Sequence, residues 1–600
     1  MIPKIYLNHI GFLIDSRKRV IVEDSSAERF EIQDMAISTS ESLGEFENWK
    51  TIFTGSLKRQ TTDMGTFLVG DFSELTMPGI YRVIIPGFDS PSYIFQVSDG
   101  AYALVPHLFF DFVHLWRSGD FDHPYRGKTH LDDGIRADNG KEHILRGGWY
   151  DAGDLRKWMT HSNLPVLGFL DFARRKEFAG TSLIKDDFSE NDWITESAWA
   201  IRFILSMQDP ETGMFFEEIG GGGEARRQAH MTWWYENHSG CYADNSQNYF
   251  TDNIKGSGDE RKIRTSYNPL IQYISMAILC KFAQAIVSDK PDLAGRCLDS
   301  ANRAYEFVEK VRNTDPLHQW TSVRAWRLSS QISLFAFKLC QKEDLFRSFE
   351  ELTECFIDEL GFFSMGKNDS TPYRGIIHSA QPVLALCEWL VLFPSSLASD
   401  KCRTLLNRIL EQYVLPLTKT NPFGIIPYGL YTGKETKGDL FRNWKNGYYY
   451  RFFMPEHSEQ KINHGLAGHW TQWAHALSFC AQVLSRPELK DIAWDQLYWL
   501  FGGNPLEVCM VSGMGYNNPM PHSRFFGAVP GGFMGGPRGN ADDEIRIDLN
   551  RRAEWNSTEY WNYPLANTLQ AFHKLFPVLF EEEKKLGRAG SGKSYSDIIT

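Results

Sequence analysis

The first 98 residues alternate apolar and polar positions in short runs separated by turn residues. This is the period of half-buried β-strands. The seven runs cover residues 5–10, 19–24, 30–39, 50–56, 65–72, 79–87 and 92–99. Seven short strands at this spacing predict an immunoglobulin-like β-sandwich.

From about residue 100 the apolar positions recur with the period of an amphipathic α-helix. In the segment 299–312, for example, Ala301, Ala304 and Val308 fall on one face. Comparable patterns predict helices near 160–176, 193–205, 269–287, 323–341, 346–359, 378–393, 401–414, 465–485, 488–502 and 562–580. Because these helices follow one another with hardly a strand pattern between them, the sequence predicts an all-α toroid of helical hairpins.

The two patterns divide the chain into a β-sandwich domain of residues 1–98 and an all-α domain of residues 99–587. Residues 588–600 are mostly small and polar, and we expect a disordered tail there. Long connections between elements tend to carry function. In this chain they cover residues 117–153, 209–267, 419–463 and 503–560.

Composition narrows the possible partners. The chain is 42% hydrophobic and 23% charged, which is typical of a globular protein, and its net charge of -12 argues against nucleic acid. Nine cysteines without a Cys-x-x-Cys pair fit neither a thiolate zinc cluster nor a disulfide framework. The sequence also has no apolar run near ~18 residues and no basic segment followed by an apolar leader. Together with the cysteine pattern, this predicts a cytoplasmic location and no membrane partner.

The first candidate for chemistry is the segment 147–158, GGWYDAGDLRKW. Its two carboxylates, Asp151 and Asp154, are three residues apart, so a tight turn can direct both at one point. Hydrolysis of a glycosidic bond with inversion needs a carboxylate base that deprotonates water, and a second carboxylate can help to hold that water. The alternative is structural: Asp154 caps a helix and Asp151 stabilises a turn.

The second candidate is the segment 502–540, which is rich in glycine and proline and presents His522 and Arg524 on a loop. Such density fixes the backbone of a loop, and the two side chains are donors that suit sugar hydroxyls. A phosphate-binding loop is a weaker interpretation because the sequence has no Gly-x-Gly-x-x-Gly-Lys and no strand before these glycines.

The third candidate is the segment 551–572, where Glu554 and Glu559 precede a helix with Pro564 in its first turn. A general acid with a raised pKa needs apolar surroundings, and Trp555 and Trp561 can supply them. The competing interpretation is that the glutamates only complement the positive end of the helix dipole.

Aromatic residues are frequent, with 18 tryptophans and 24 tyrosines. Several lie in the long connections, among them Trp149 and Tyr150. The apolar faces of sugar rings stack on such side chains, although a packing role is the more common one for any single aromatic residue.

A metal site is less well supported by the sequence. His130, Asp132 and Asp133 together offer donors for a hard or borderline cation. No cysteine lies near them to complete a thiolate zinc site, so we predict no metal and no cofactor.

These motifs, in this order and behind a β-sandwich, resemble glycoside hydrolase family 9. The matching segments are IYLNHIGFLIDSRKRVIV, GGWYDAGDLRKWMTHSNLPV, FGGNPLEVCMVSGMGYNNPMPHSR, AVPGGFMGGPRGNADDE and WNYPLANTL, so the resemblance covers nearly the whole chain. It implies an N-terminal immunoglobulin-like domain and an (α/α)6 barrel.

The resemblance also implies roles for single residues. Asp154 is the expected catalytic base, and Asp151 is expected to help it hold the attacking water. His522 and Arg524 are expected to contact sugar beside the cleavage point. The aromatic residues expected to contact substrate are Trp149, Tyr150 and Trp561.

The general acid is the least defined part of the resemblance, because the usual Asn-Glu-Val-Ala ahead of the Trp-Asn-x-Pro helix is absent. An ungapped match to Trp561 puts Asn556 at the position of the acid, whereas a small gap brings in Glu559 or Glu554. We favour Glu559 because its preceding Ser-Thr resembles the family's local Thr-Asn-Glu setting and needs only a short deletion.

Two other positions depart from the family pattern. Ser523 replaces the second histidine of Pro-His-His-Arg, which alters one sugar-contacting position. Thr129 replaces the cysteine of the Cys-His-Leu-Asp-Asp pattern that accompanies a zinc site in some members, which argues against zinc.

The sequence therefore predicts an inverting glycoside hydrolase that cleaves β-linked oligosaccharides of the cello- or chitosan-oligosaccharide type, with exo action. The alternatives are a non-catalytic sugar-binding protein on the same scaffold, a classical endo-β-1,4-glucanase, and an (α/α)-barrel lyase or phosphorylase. The sugar, the linkage, exo versus endo action and the oligomeric state stay open.

Overall fold

The structure is a computed structural model with a β-rich N-terminal part and a helical remainder. It describes residues 4–36, 48–123, 127–175, 178, 193–221, 251–433, 438–457, 463–523, 527–549 and 555–577. The predicted tail, residues 588–600, lies outside these ranges.

The N-terminal part folds into two sheets that share one long strand, β5. Residues 48–56 of β5 pair with β4, and residues 57–62 pair with β6. The strand order across the described residues is β1-β3-β6-β5-β4-β7-β8-β2. The bounds are β1 Ile5–Tyr6, β2 Gly11–Phe12, β3 Arg19–Glu23, β4 Arg29–Ala36, β5 Asn48–Thr62, β6 Gly65–Asp71, β7 Gly79–Ile84 and β8 Phe95–Val97.

The side chains enclosed by these strands form a hydrophobic core of their own. Phe30, Val20 and Tyr81 are completely buried in it. Each of the seven predicted runs contains a strand, and β2 is additional to them because its two residues pair in parallel with β8.

The helical part contains every one of the eleven predicted helices, together with a further long helix, α1, and the four-residue helices α10 and α13. The sequence of α1, LVPHLFFDFVHL, is mostly apolar. The helices of the described residues are α1 Leu104–Leu115, α2 Pro165–Phe172, α3 Trp193–Ser206, α4 Pro269–Ile286, α5 Pro291–Val311, α6 Thr321–Phe335, α7 Lys342–Thr353, α8 Gln381–Leu392, α9 Leu397–Arg408, α10 Leu415–Thr418, α11 Ala467–Val483, α12 Leu489–Leu500, α13 Trp555–Thr558 and α14 Asn562–Leu575.

Local signals explain where several helices begin. Proline, which needs no hydrogen bond in the first turn, stands at or next to the start of α2, α4, α5 and α8. The Asn268 side chain caps α4 by accepting from the backbone N–H of Leu270 at 3.0 Å.

Six of the described helices form an inner ring in the order α2-α4-α6-α8-α11-α14, and α14 contacts α2 to close it. An outer helix packs on each of them: α3, α5, α7, α9, α12 and α1, in the same order. Residues that precede α2, α8, α11 and α14 meet at one end of the ring. The inner helices therefore run in the same direction, and their N-terminal ends surround a common cleft.

The opposite end of the ring encloses a cavity of about 300 Å³ that all six inner helices line. Its charged groups include Lys281, which pairs with Glu388 at 2.6 Å, and Lys574, which lies 3.9 Å from Asp171. The cavity lies on the axis of the ring and extends from the C-terminal half of the inner helices inward to Leu164, Trp326 and Gln381.

The sandwich is attached to the helical part by ionic and aromatic contacts. Asp495 of α12 accepts from Arg19 at 2.9 Å and also pairs with Arg17. The ring of Tyr6 packs on Phe423, with centroids 6.0 Å apart.

The connections contain short strands, and the inner helix α4 is rich in apolar residues. Helix α4 is long and apolar enough to cross a membrane, but most of it is buried inside the ring, as in a core helix. The short strands in the described part are β9 Gly119–His123, β10 Gly127–Thr129, β11 Ile135–Arg136, β12 Lys157–Trp158, β13 Glu218–Gly221, β14 Lys262–Arg264, β15 Phe356–Ile357, β16 Phe362–Gly366, β17 Asp369–Pro372, β18 Gly429–Tyr431, β19 Arg442–Asn443, β20 Tyr449–Arg451, β21 Arg538–Gly539 and β22 Ile545–Arg546.

Candidate active site

Asp151 lies in the turn ahead of α2, at the cleft end of the ring, and only 3% of it is exposed. Its Oδ1 accepts from the backbone N–H of Trp158 at 3.0 Å. Its Oδ2 lies 3.2 Å from Nε2 of His161. Its own backbone N–H donates to the carbonyl of Arg156 at 2.9 Å. The orientation of this carboxylate is therefore fixed from both sides.

Asp154, in the same turn, is the more accessible carboxylate, with a side chain that is 22% exposed. The Arg156 guanidinium lies 3.3 Å from its Oδ2. Burial raises the pKa of Asp154 to about 6, while Arg156 opposes that rise and Asp151 adds to it. A carboxyl group whose pKa lies near neutrality is suited to act as a general base.

The backbone of this turn is strained at Leu155, which has a φ of 63°. Left-handed backbone at a residue other than glycine costs roughly 1–2 kcal/mol. The Arg261 guanidinium donates to the Leu155 carbonyl and pairs with Asp133 at 2.7 Å. Asp133 therefore helps to hold the turn in place through Arg261.

Gly153 marks the closest approach between this turn and the segment that carries Glu559. A Cβ at Gly153 would lie 2.3 Å from the backbone oxygen of His522 and 3.2 Å from Cγ of Glu559. Ala152 forms a β-bridge with Trp561 on the other side. The Glu559 side chain therefore packs directly against the turn that carries both aspartates.

The segment that carries Glu559 is held by the glycine-rich loops before it. The Glu559 carbonyl accepts from the backbone N–H of Gly535 at 2.8 Å, and the Thr558 carbonyl accepts from that of His522 at 3.0 Å. The Glu559 residue is 5% exposed. Its position depends on loops that are distant in sequence, in contrast to the local bonds of Asp151.

The structure brings four of the predicted site residues together. Asp151, Asp154, Glu559 and His522 meet around Gly153. Arg524 and the alternative acid Glu554 lie outside the described residues.

Trp149 and Tyr150 are completely buried, which corrects the predicted sugar contacts. Nε1 of Trp149 donates to Glu196 at 2.8 Å. Although burial alone would raise it, Arg117 and His114 lower the pKa of Glu196 to about 2. Because both side chains are completely buried, their rings are closed off from the cleft and pack inside the protein beside the turn that carries Asp151 and Asp154.

Tyr150 also binds two residues of the segment that resembles a zinc site in sequence. Its hydroxyl hydrogen bonds with Oγ1 of Thr129 at 2.6 Å and with Nδ1 of His130. Zinc is bound by thiolate, imidazole and carboxylate ligands, so two hydroxyl groups beside one histidine do not fit it. These residues form a hydrogen-bonded cluster among themselves.

His130, Asp132 and Asp133, which the sequence offers as donors for a cation, each have different partners. His130 bonds with Tyr150, and Asp133 pairs with Arg261. The carboxylate of Asp132 instead lies near those of Asp252 and Asp259, and one oxygen of each of the three lies within 4.8 Å of the others.

Three buried histidines at the cleft escaped the sequence analysis. The ring of His161 stacks on Trp561, with centroids 5.4 Å apart, and His464 contacts the same indole at 4.9 Å. His378 accepts from Nε1 of Trp326 at 3.0 Å. Burial lowers the pKa of His378 to about 3 and that of His464 to about 4, so both are neutral.

Each of these histidines stands a few residues before an inner helix, and this position is a signal the sequence contained. Trp561 itself, which was predicted to contact substrate, is 5% exposed and packs among them. Its ring contacts His161, His464 and Tyr563.

Chemically, the cleft combines an accessible carboxylate of raised pKa with a fixed second carboxylate and a nearly buried glutamate. The first can accept a proton from water, the second can orient that water, and the third can supply a proton. Such a set is suited to hydrolysis with general acid and general base assistance.

Comparison with known proteins agrees with this chemistry. Residues 102–326 match the family model described as Glycosyl hydrolase family 9. A "Xyloglucan-specific endo-beta-1,4-glucanase BoGH9A" of Bacteroides ovatus is 24% identical over 36% of this chain and 38% of its own length. A "Cellodextrinase" of Butyrivibrio fibrisolvens is 28% identical over 28% of this chain and 30% of its own. The matches span less than two-fifths of these relatives.

Solved structures match over almost the whole chain. A single-mutant form of a thermostable endoglucanase from Alicyclobacillus acidocaldarius has a TM-score of 0.65 at 17% identity and covers 96% of this chain and 99% of its own. The "GH family 9 endoglucanase J30" has a TM-score of 0.66 at 18% identity, with 94% and 99% covered. These likenesses show that the chain has the fold of family 9 endoglucanases.

Proposed function

We propose that this chain belongs to glycoside hydrolase family 9 and hydrolyses β-linked oligosaccharides with inversion of the anomeric carbon, as its match to the family model over residues 102–326 and its relatives suggest. In this proposal the sandwich is the immunoglobulin-like domain of the family, the helical part is its (α/α)6 barrel, and no metal or cofactor takes part.

One observation carries the proposal: the turn with Asp151 and Asp154 packs on the side chain of Glu559 through Gly153. Asp154 takes a proton from water as the water oxygen bonds to the anomeric carbon. Asp151 orients that water, and Glu559 gives its proton to the departing glycosidic oxygen. Inversion requires roughly 6.5–9.5 Å between the base and the acid so that water fits.

The substrate we propose is a short cello- or chitosan-type oligosaccharide cleaved from one end. A relative named cellodextrinase supports a short β-glucan. The eight described cysteines are free and buried, which supports a reducing, cytoplasmic location.

Endo action on a β-1,4-glucan is the second candidate, because other relatives are named endoglucanases. The products of a labelled cellohexaose distinguish the two. Release of only one short product from the start indicates exo action, whereas early products of mixed length indicate endo action.

The experiment that tests the proposal is proton NMR of the first-formed product. Dinitrophenyl β-glycosides of glucose, glucosamine and glucuronic acid first identify a substrate. We expect the α anomer to appear first. A β anomer, or no hydrolysis of any β-glycoside or β-linked oligosaccharide, contradicts the proposal.

Asp154→Asn tests the base directly, because the substitution keeps the size of the side chain but removes its ability to take a proton. We expect at least a thousandfold loss of turnover with an unchanged fold. Azide, which attacks without losing a proton, should restore turnover and yield an α-glycosyl azide. Retention of more than about a tenth of the wild-type rate refutes Asp154 as the base.

A further inference from the structure

His161 is a buried histidine that lies between the two carboxylate-bearing segments of the cleft. It stands ten residues after Asp151, outside the Asp-x-x-Asp motif, and it is completely buried. Both of its ring nitrogens are within hydrogen-bond distance of a side chain.

The hydrogen bonds of His161 define which nitrogen carries the proton. Nδ1 lies 3.0 Å from Oγ1 of Thr160, whose hydroxyl can donate to it. Nε2 then carries the hydrogen and donates to Oδ2 of Asp151 at 3.2 Å. The series Thr160, His161, Asp151 therefore ends at the carboxylate beside the catalytic base.

The Nε2–H of His161 is the second hydrogen-bond donor to the Asp151 carboxylate. Its other oxygen already accepts from the backbone N–H of Trp158. Because each carboxylate oxygen can accept two hydrogen bonds, one donor on each oxygen fixes the plane and leaves acceptor sites for a water molecule. Without His161, the carboxylate has one fixed oxygen and is free to rotate.

The ring of His161 also reaches the other side of the cleft. It stacks on the indole of Trp561 at an interplanar angle of 24°. Trp561 follows Glu559 by two residues in the same extended segment. One side chain thus contacts both the residue that orients water and the segment that carries the acid.

We propose that His161 is a positioning residue that holds the Asp151 carboxylate in its water-orienting geometry and keeps it in register with the Glu559 segment. The proposal rests on the proposed function, since it needs Asp151 to orient water. His161 does not itself act as the base, because it is completely buried and both nitrogens are engaged.

Three substitutions separate the hydrogen bond from the packing. His161→Phe keeps a ring to stack on Trp561 and removes the donor. His161→Gln restores an N–H donor near the position of Nε2. Thr160→Val keeps the shape of Thr160 and removes the hydroxyl that fixes the tautomer.

We expect His161→Phe to lower kcat at least tenfold and to leave KM within threefold, because water attack and not substrate binding is impaired. The loss should be equal on an oligosaccharide and on a dinitrophenyl glycoside, since leaving-group protonation is not involved. His161→Gln should recover at least fivefold over His161→Phe, and Thr160→Val should lose about two- to fivefold.

The double variant Asp151→Asn with His161→Phe tests whether the two residues act as one unit. We expect it to be no slower than Asp151→Asn alone, because His161 then has no carboxylate to hold. His475→Phe is the matched control for a buried histidine, since His475 lies at the far-end cavity. It should keep kcat within twofold.

Several outcomes overturn the proposal: a folded His161→Phe with kcat within threefold of wild type, a His161→Gln no better than His161→Phe, or losses that multiply in the double variant. If His161→Phe does not fold, as judged by thermal melting, Thr160→Val decides instead: a loss of kcat smaller than twofold then overturns the proposal. Failure of the proposed function is seen separately, in the product anomer and in Asp154→Asn.

Discussion

The two sides of the cleft are built in different ways. The base side is one short stretch of chain in which Asp151 binds Trp158, His161 and Arg156, all within ten residues. The acid side is an extended segment held by loops from residues 464–465, 522 and 533–536.

The difference determines what a sequence can reveal about each side. Hydrogen bonds between residues close in sequence require a fixed spacing along the chain. The residues of the base side therefore form one continuous sequence motif. The position of Glu559 depends on contacts with distant segments, and insertions between these segments change the spacing without moving the carboxylate.

Glu559→Gln should separate the acid side from the base side. We expect turnover of a natural oligosaccharide to fall by about 10²–10⁴ and that of a dinitrophenyl glycoside by only a few-fold, because that leaving group needs little protonation. Steady-state kinetics on both substrates measures this ratio.

Glu554→Gln is the control for the acid assignment and should behave as a mild variant. If the substrate contrast appears there and Glu559→Gln is nearly silent, the acid has been assigned to the wrong glutamate. Equal losses on both substrates at Glu559 indicate a structural role instead.

Gly153→Ala tests the contact between the two sides. The new methyl group would lie 2.3 Å from the His522 carbonyl oxygen and must push the segments apart. Small misplacements of catalytic groups lower rates strongly, and we expect a loss of about 10- to 100-fold in kcat.

Gly295→Ala in α5 is the matched control for this substitution, because nothing lies within 4 Å of the added Cβ. It should leave kcat unchanged and stabilise the helix by about 0.5–1 kcal/mol. A Gly153→Ala variant as active as this control means that the close approach has no role in catalysis.

The raised pKa of Asp154 predicts the acid limb of the pH profile. The base works only when ionised, so kcat/KM should fall about tenfold per pH unit below about 6. Arg156→Gln, which removes the charge that opposes the rise, should move this limb to higher pH. A limb near 4 in the wild type contradicts the assignment.

The smallest effect is on stability. Asp154 has a higher pKa in the folded chain than its ordinary 3.8, so the wild type loses stability as pH rises from about 4 to about 6. Asp154→Asn should therefore stabilise the protein by roughly 1–3 kcal/mol at pH 7.5 and by little at pH 4, measured by urea denaturation. Asp151→Asn, which turns an amide group toward His161, should destabilise it.

Much of the fold was predictable because it depends on periodicity. Eleven helices and seven strand runs showed the expected period, and the structure has an element at each of them. Helix α1 was missed although its apolar residues favour one face as strongly as those of α3 do. The closure of the ring from α14 to α2 joins ends of the chain that no local pattern connects.

For the site, the sequence predicted which residues meet at the cleft better than it predicted their surroundings. The turn with Asp151 and Asp154 was found from its spacing. Trp149 and Tyr150 were wrongly expected to face sugar, because an aromatic residue beside a catalytic motif is equally typical of a buried support. His161 was missed because its role depends on a tautomer and a stacked ring, which sequence does not encode locally.

The common direction of the inner helices makes the molecule electrically polar. Each helix carries about half a positive charge at its N-terminus and half a negative charge at its C-terminus. The N-terminal ends of these helices therefore contribute a positive field at the cleft, which favours the ionised form of its carboxylates. The negative ends converge on the cavity at the other end, where Lys281 and Lys574 lie with the carboxylates of Glu388 and Asp171. Within the proposed range of substrates, this contribution of the helices favours a neutral glucan over a cationic amino sugar.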